Sequence, residues 1–286
     1  MRSRCLRLRH CRGAQAGAAR IYRRNRAFAC GAAAGMSRGG YVGIDGCPGG
    51  WLAVALSEDG QSWAADVYED INRLWEAHQE AKLLLIDMPI GLADGREPRA
   101  CDALARELLK PGRTSSIFAA PVREVLGASS YAEANALQRE LSGRGLSRQS
   151  WGLVPKIRRL DELLQQDPEA HRRFRESHPE LCFAQLFGGP MHHGKKTPEG
   201  FAERLAHLRR DCAHADAIVA ELLARYPRKA LARDDMLDAL ALAVTGWLSG
   251  GELRQVPAEG DADRTGLRRT ISFYKPEGRT LAAGSP

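Results

Sequence analysis

Five acidic residues lie where apolar segments begin or end, and carboxylates in such places can do chemistry. Asp45 and Asp87 each close a short aliphatic run, and Glu180 lies within an apolar run that follows a proline. Asp235 and Asp238 open the apolar run 236–248. Singly, each acid could be a cap or turn residue. Together, clustered carboxylates are what hard divalent cations require, and a pair of such ions stabilises phosphoryl displacement.

The run that begins at residue 233 predicts a buried helix. Acids in a first turn suit the positive end of the helix dipole, so Asp234 is expected to be the N-cap, and Gly250 is expected to end the helix. Asp238 lies one turn further on, where the sequence is apolar on every side. Crowded, buried carboxylates repel each other, so we expect a cationic side chain to compensate them.

The elements that must position these acids begin with an antiparallel meander. Segments 41–45, 51–56 and 62–68 are predicted as its three strands, with a hairpin signal at Asp59 and Gly60. A helix is predicted over 70–81. The aliphatic run 82–87 is typical of a parallel strand buried on both faces.

If the strands ending in Asp45 and Asp87 are parallel neighbours, both carboxylates project from the same end of the sheet. Ligands bind at that carboxyl end in open α/β sheets. The two acids are therefore expected to lie at a binding site.

The rest of the chain is predicted to cover and extend this sheet. Residues 92–177 are expected to form a helical insertion, and 178–184 a strand carrying Glu180. Helices are predicted at 201–210 and 213–226, and an edge strand at 270–274.

Basic and hydroxyl residues in the loops offer candidate phosphate contacts. A solvated surface is the simpler interpretation for Arg158 and Arg159. Arg113 beside Thr114 and Ser115, and the lysine pair 195–196 before Thr197, are better suited to phosphate contact. The candidates are Arg113, Ser115, Lys156, Lys195, Lys196 and Arg204.

Other catalytic motifs are missing from the sequence. It has no GxGxxG, no GxxxxGK[ST], no HExxH and no GxSxG motif. These absences disfavour dinucleotide-dependent, P-loop, zincin and nucleophile-elbow chemistry.

Charge is concentrated at the front of the chain. Residues 1–35 hold nine arginines and no acid, so a net charge of +7 leaves about −2 for residues 36–286. We predict that 1–38 is a disordered or mis-assigned extension, with translation starting at Met36, and that 277–286 is a disordered tail. Residues 39–276 are predicted to form one domain. The cysteines form no CxxC pair, so a reducing cytoplasm is expected.

Six short motifs give the sequence a specific resemblance. It is similar to the domain of unknown function 429 family, whose members are regarded as predicted ribonuclease H-like nucleases. The motifs are VGIDG at 42–46, IDMPIG at 86–91, SIFAAP at 116–121, HPE at 178–180, KKT at 195–197 and DMLDA at 235–239.

The resemblance implies a ribonuclease H-like α/β fold with a mixed five-stranded sheet flanked by helices. It implies that Asp45, Asp87, Asp235 and Asp238 bind Mg²⁺ or Mn²⁺, with Glu180 as a further catalytic acid whose position departs from ribonuclease H proper. The expected function is a metal-dependent nuclease or phosphodiester hydrolase, acting on nucleic acid or another phosphodiester.

Two alternatives stay open. A non-catalytic module of the same fold that binds nucleic acid or protein is compatible with the near-neutral net charge of residues 36–286. A phosphotransferase of the actin and sugar-kinase type also opens with a Gly-x-Asp-Gly turn, but it normally duplicates the sheet and adds a second phosphate loop. No membrane association is expected, and the sequence does not give the oligomeric state.

Overall fold

The central sheet contains five strands and is mixed, as predicted. The computed structural model describes residues 39–277, so the predictions for 1–38 and 278–286 lie outside the described residues. The strand order is β3–β2–β1–β4–β5. The strands are β1 Tyr41–Cys47, β2 Gly50–Leu56, β3 Trp63–Tyr68, β4 Leu83–Ile86 and β5 Phe174–Glu176.

The register of β1 joins the meander to the parallel part of the sheet. β1 pairs antiparallel with β2 and parallel with β4, with Ile44 opposite Ile86. The amide of Asp87 donates to the carbonyl of Ile44 at 3.0 Å, so the pairing continues one residue past β4. β4 is aliphatic and fully buried, as a parallel strand covered on both faces must be.

Nine α-helices surround this sheet within residues 39–277. One helix precedes β4, and four lie between β4 and β5, as the predicted helical segment 92–177 requires. The other four follow β5. The helices are α1 Ile71–His78, α2 Ala100–Leu108, α3 Tyr131–Ser142, α4 Arg148–Gln166, α5 Pro168–Arg173, α6 Pro179–Phe187, α7 Pro198–Asp211, α8 Ala215–Arg225 and α9 Arg233–Ser249.

The fifth strand is not the one that the sequence indicated. The predicted strand 178–184 is wrong, because Pro179–Phe187 forms helix α6 and the short segment Phe174–Glu176 pairs with β4 instead. Pro179 stands at the first helical position, where a missing N–H costs nothing, and Gly188 ends the helix in the left-handed conformation. The apolar run was therefore a buried helix rather than a strand.

The C-terminal edge strand is also reassigned. Ile271–Phe273 forms β7, but it pairs antiparallel with β6, Arg254–Val256, in a separate two-stranded sheet. A single parallel bridge between Ser177 and Ser272 links this ribbon to the end of β5.

The two faces of the sheet carry different cores. Val42, Ile44 and Leu84 face a core that includes residues of α1, α3 and α4. Leu52 and Val54 face the other core, to which α6, α7, α8 and α9 contribute. Because side chains alternate along a strand, Gly43 and Asp45 project toward this second face, where α9 lies.

Helix α9 lies directly on β1, backbone against backbone. A Cβ atom on Gly43 would lie 2.0 Å from the carbonyl oxygen of Ala239 and 2.2 Å from the nitrogen of Ala243. Only glycine permits this approach. The contact holds the DMLDA motif of α9 against the VGIDG motif of β1. Asp238 is next to Ala239 in the sequence, and Asp45 is two residues from Gly43.

No helix in the described part of the chain is long and apolar enough to cross a membrane.

Candidate functional site: a buried acidic cluster with a lysine counter-charge

Asp45 lies at the carboxyl end of β1 and is almost completely buried. Its side chain is 8% exposed and lies within electrostatic range of Asp87, Asp235 and Asp238. Burial is the main reason that its pKa is raised well above the ordinary value, and the three neighbouring carboxylates raise it further, with Lys195 opposing them. The acids that the sequence separates by up to 193 positions thus form one cluster.

Asp238 is the most deeply buried of these acids, at 1% exposure. Its Oδ2 accepts a hydrogen bond from the Lys195 ammonium at 2.6 Å. Its Oδ1 is buried and has no hydrogen-bond partner among residues 39–277. Burial raises the pKa of Asp238 to about 7, against the lowering effect of Lys195, and Asp87 and Glu180 raise it further.

Lys195 is the compensating cation that the crowded acids required. It lies in the loop before α7, and its side chain remains 38% exposed. Burial alone would lower its pKa, but Asp238, Asp87 and Asp45 together raise that pKa above its ordinary value. Lys195 therefore stays charged, and in the described conformation it compensates the charge of Asp238.

Glu180 lies beside the cluster through its first-turn position in α6, rather than on a strand. Its Oε1 forms a buried ion pair with Arg204, which is 1% exposed. Its Oε2 is buried without a hydrogen-bond partner in the described residues. Glu180 also raises the pKa of Asp238, so it belongs electrostatically to the cluster.

Arg204 does not lie where a phosphate could reach it, which corrects the sequence-based expectation. Its Nη1 donates to the carbonyls of His193 and Gly200, each at 3.0 Å. These carbonyls flank the loop that carries Lys195. The Glu180–Arg204 pair therefore anchors the loop, and through it the position of the lysine.

Asp234 is not the N-cap of α9 that the sequence indicated. The N-cap is Ala232 rather than Asp234, and the Asp235 carboxylate accepts from the Ala232 amide at 3.1 Å. Asp235 is half-buried, and burial raises its pKa. Asp87 is also half-buried, at the end of β4.

Lys156 approaches the cluster from helix α4. Its ammonium donates to the carbonyl of Cys47 at 2.8 Å and also to that of Gly50, so it holds the turn between β1 and β2. It also lies 4.9 Å from the centre of the Trp51 ring. Burial lowers its pKa, while Asp45 and Asp235 oppose that shift.

The other three predicted phosphate contacts lie outside this arrangement. Arg113 donates from Nε to the carbonyl of Met191 at 2.9 Å, and Ser115 and Lys196 are exposed. Within residues 39–277, none of these three forms an ion pair or hydrogen bond with the acids. Met191 precedes the Lys195 loop, so Arg113 contacts the same region of the chain.

The donor chemistry suits a hard divalent cation, but the described arrangement does not form a metal site. Carboxylate oxygens are the preferred ligands of Mg²⁺, and the unpartnered Oδ1 of Asp238 is such a donor. However, among the described residues no group of three or more His, Cys, Asp or Glu side chains is placed to hold a metal ion. Lys195 supplies the positive charge instead.

Sequence reasoning missed a second set of buried charges. Arg99 forms an ion pair with Oε2 of Glu176 in β5. The same oxygen accepts a hydrogen bond from the Ile90 amide at 2.7 Å. This pair fixes the segment that follows Asp87. Glu176 stood outside the predicted strand, so its burial gave no signal in the sequence.

The fold and the cluster define an α/β protein with a buried acidic centre at the carboxyl end of its central strands. The chain belongs to the family described as Protein of unknown function (DUF429), whose model matches residues 43–262. This confirms the resemblance to that family. Comparisons with curated proteins and with solved structures found no match. The mixed sheet is consistent with a ribonuclease H-like fold.

Proposed function

We propose that the protein is a metal-dependent phosphodiester hydrolase of the nuclease type, with Asp45, Asp87, Asp235 and Asp238 as its acidic centre. The observation that supports this proposal is the unpartnered, buried Oδ1 of Asp238 within a group of mutually repelling carboxylates. Buried carboxylates without hydrogen bonds are costly, so a fold that keeps them is expected to use them.

Each residue has a distinct task in this proposal. Asp45 and Asp238 provide the buried oxygen donors, and Asp87, half-buried, provides a more exposed donor. Asp235 stays tied to the Ala232 amide. Bound Mg²⁺ or Mn²⁺ would supply Lewis-acid chemistry to the phosphodiester.

Lys195 connects the described conformation to the proposed one. A cation that enters the cluster competes with the Lys195 ammonium for Asp238. Because its side chain is 38% exposed, Lys195 can turn outward to a substrate phosphate when it leaves the carboxylate. Arg113, Ser115 and Lys196 stay proposed as further phosphate contacts.

The test uses the full chain with Mn²⁺ or Mg²⁺ against single-stranded DNA, double-stranded DNA, RNA and RNA–DNA hybrid. We expect cleavage of at least one substrate that EDTA abolishes and that Asp45→Asn lowers at least a hundredfold. The control is Glu76→Gln, which changes an exposed carboxylate on α1. Cleavage that persists in Asp45→Asn would refute the acidic centre.

One observation favours a second candidate, a binding module without catalysis. In the described residues Lys195 compensates the charge of Asp238, and the cluster forms no metal-ligand group. A module of this kind would bind nucleic acid equally in EDTA and in Mg²⁺ and would release no product. The actin and sugar-kinase alternative gains no such support, since the described chain has a single copy of the sheet.

A further inference from the structure

A crevice on the edge of the sheet brings together three basic side chains. It lies at β5, one of the two edge strands of the sheet, and none of the four aspartates of the acidic cluster lines it. Its walls come from β5, the end of α5, the segment after Asp87 and the loop before β7. The lining residues include Ile90, His171, Arg175, Arg268 and Thr270.

The two arginines of this crevice have no acidic partner. Within residues 39–277, neither Arg175 nor Arg268 forms an ion pair, whereas most buried arginines elsewhere in the structure do, such as Arg99 with Glu176. Arg175 uses Nη1 to donate to the carbonyls of Arg172 and Phe174, at 2.6 and 2.7 Å. Those carbonyls are neutral and do not cancel its charge.

Arg268 also has a buried donor without an acceptor. Its Nη1 is buried and makes no hydrogen bond in the described part of the chain. A buried unsatisfied donor on a charged group is costly, and an anion in the crevice would remove that cost.

The basic groups repel one another. Burial, and secondarily Arg268, lowers the pKa of Arg175 to about 10. Burial lowers the pKa of His171, and both arginines lower it further, with Asp263 opposing them. His171 is therefore neutral at pH 7 and still has one N–H to donate.

The carboxylate that lines the crevice does not neutralise it. Its charge is already paired, because Oε2 of Glu176 accepts from the Arg99 guanidinium and from the Ile90 amide. The net charge of the crevice therefore remains positive.

We propose that this crevice is a phosphate-binding site formed by Arg175 and Arg268, with His171 as a neutral donor. A guanidinium matches two oxygens of a phosphate with parallel N–H donors, and two guanidiniums suit a doubly charged oxyanion. The phosphate is either a free anion or a group on a larger molecule. The crevice is narrow and only partly open, so a phosphate from either source enters as the partly exposed Arg175 and Arg268 side chains move apart. This site does not depend on the proposed hydrolase activity.

The test measures thermal unfolding and isothermal titration with inorganic phosphate, against sodium chloride of matched ionic strength. We expect phosphate to raise the melting temperature of the wild type. Arg268→Gln should weaken phosphate binding at least tenfold. Arg268→Lys should weaken it less, because it keeps the charge and loses the fork. Arg159→Gln, which removes an exposed arginine on α4, should bind as the wild type does.

A second measurement separates a binding role from a structural one. In chloride alone, Arg268→Gln should unfold at the same temperature as the wild type or higher, because it relieves repulsion from Arg175. A lower melting temperature in chloride together with unchanged phosphate binding would overturn the proposal.

A short single-stranded oligonucleotide distinguishes the two sources of phosphate. If it binds and Arg268→Gln weakens it tenfold while inorganic phosphate does not bind, the site takes the phosphate of a polymer. If phosphate binds and the oligonucleotide is indifferent to Arg268→Gln, the site takes the free anion. If neither ligand responds to Arg268→Gln, the proposal is wrong.

Discussion

The Lys195 ammonium lies 2.6 Å from Oδ2 of Asp238, although the two residues are 43 positions apart. This ion pair connects a partly exposed loop to the most deeply buried acid of the cluster. It neutralises one carboxylate of several and leaves Oδ1 of the same side chain without a partner. The charge of Asp238 is therefore compensated by a partly exposed lysine that another cation can displace.

Removing Lys195 should destabilise the metal-free protein and increase its response to metal. In Lys195→Met, Asp238 loses its counter-charge, and we expect the free energy of unfolding at pH 7.5 to fall by about 1–3 kcal/mol. Mg²⁺ no longer competes with the ammonium, so its stabilising effect should grow. Chemical denaturation with EDTA or Mg²⁺ measures both. Lys196→Met, at an exposed neighbour, should match the wild type. A Lys195→Met protein as stable as the wild type and indifferent to Mg²⁺ would contradict this.

The metal-free protein should lose stability as pH rises from about 4 through about 7. The folded pKa of Asp238 is about 7, above its ordinary value of 3.8, so the folded state holds this proton more tightly than the unfolded state. The contribution is complete below the lower value, declines between the two and is lost above the higher one. Asp45 acts in the same direction.

Denaturation in EDTA at several pH values measures this decline. Asp238→Asn should remove part of it, whereas the exposed variant Glu76→Gln should leave it unchanged. If the unfolding free energy of the wild type is constant between pH 4 and 7, or if its pH dependence is unchanged in Asp238→Asn, Asp238 does not have a raised pKa in the folded state.

Breaking the Glu180–Arg204 pair should release the loop that carries Lys195. Arg204→Ala leaves Glu180 buried and uncompensated, which costs about 3–5 kcal/mol. Hydrogen exchange should quicken at the loop amides of 193–197, because the Arg204 bond to the His193 carbonyl is lost. Arg209→Ala, which removes an exposed ion pair on the same helix, should change stability by less than about 1 kcal/mol. Slow exchange retained in Arg204→Ala would refute the anchoring role.

Gly43→Ala should be among the most destabilising single changes in the protein. The added Cβ would lie 2.0 Å from the Ala239 carbonyl oxygen, so α9 must move away from β1. We expect a loss of about 3 kcal/mol or more, at the upper end of overpacking effects. The matched control is Gly152→Ala in α4, where the added Cβ would have no atom from outside its own helix turn within 4 Å. Alanine should stabilise this helix by about 0.5–1 kcal/mol. Equal unfolding free energies for the two variants would contradict this packing.

Local patterns predicted the meander, β4 and most helices because their signals lie within one element. Helix α3, Tyr131–Ser142, lies within the predicted helical segment 92–177, with Ser130 as its N-cap and Gly143 after it. The run around Glu180 failed because a short apolar stretch has no period that separates a buried helix from a buried strand. Only the pairing of Phe174–Glu176 with β4 decided the matter.

The sequence indicated which acids lie together in the cluster, but it did not indicate which carboxylates the basic residues pair with. The positions of Asp45 and Asp87 follow from side-chain alternation within each strand and from the parallel pairing of β1 with β4. The partners of Lys195 and Arg204 depend on how the loop before α7 lies against α9 and α6, and nothing in the local sequence specifies that. Both basic residues were expected to face a phosphate, and both face a carboxylate.

The contact between Gly43 and Ala239 makes the geometry of the acidic centre less sensitive to changes in the apolar core. Since two backbones touch there, the closest approach of β1 to α9 near Asp45 and Asp238 is set by main-chain atoms and not by an apolar side chain between them. Sequences can therefore drift widely in both cores, or be redesigned, and keep the same distance between these acids. Across relatives of this chain, the glycine is expected to vary less than the large aliphatic residues on the opposite face of β1.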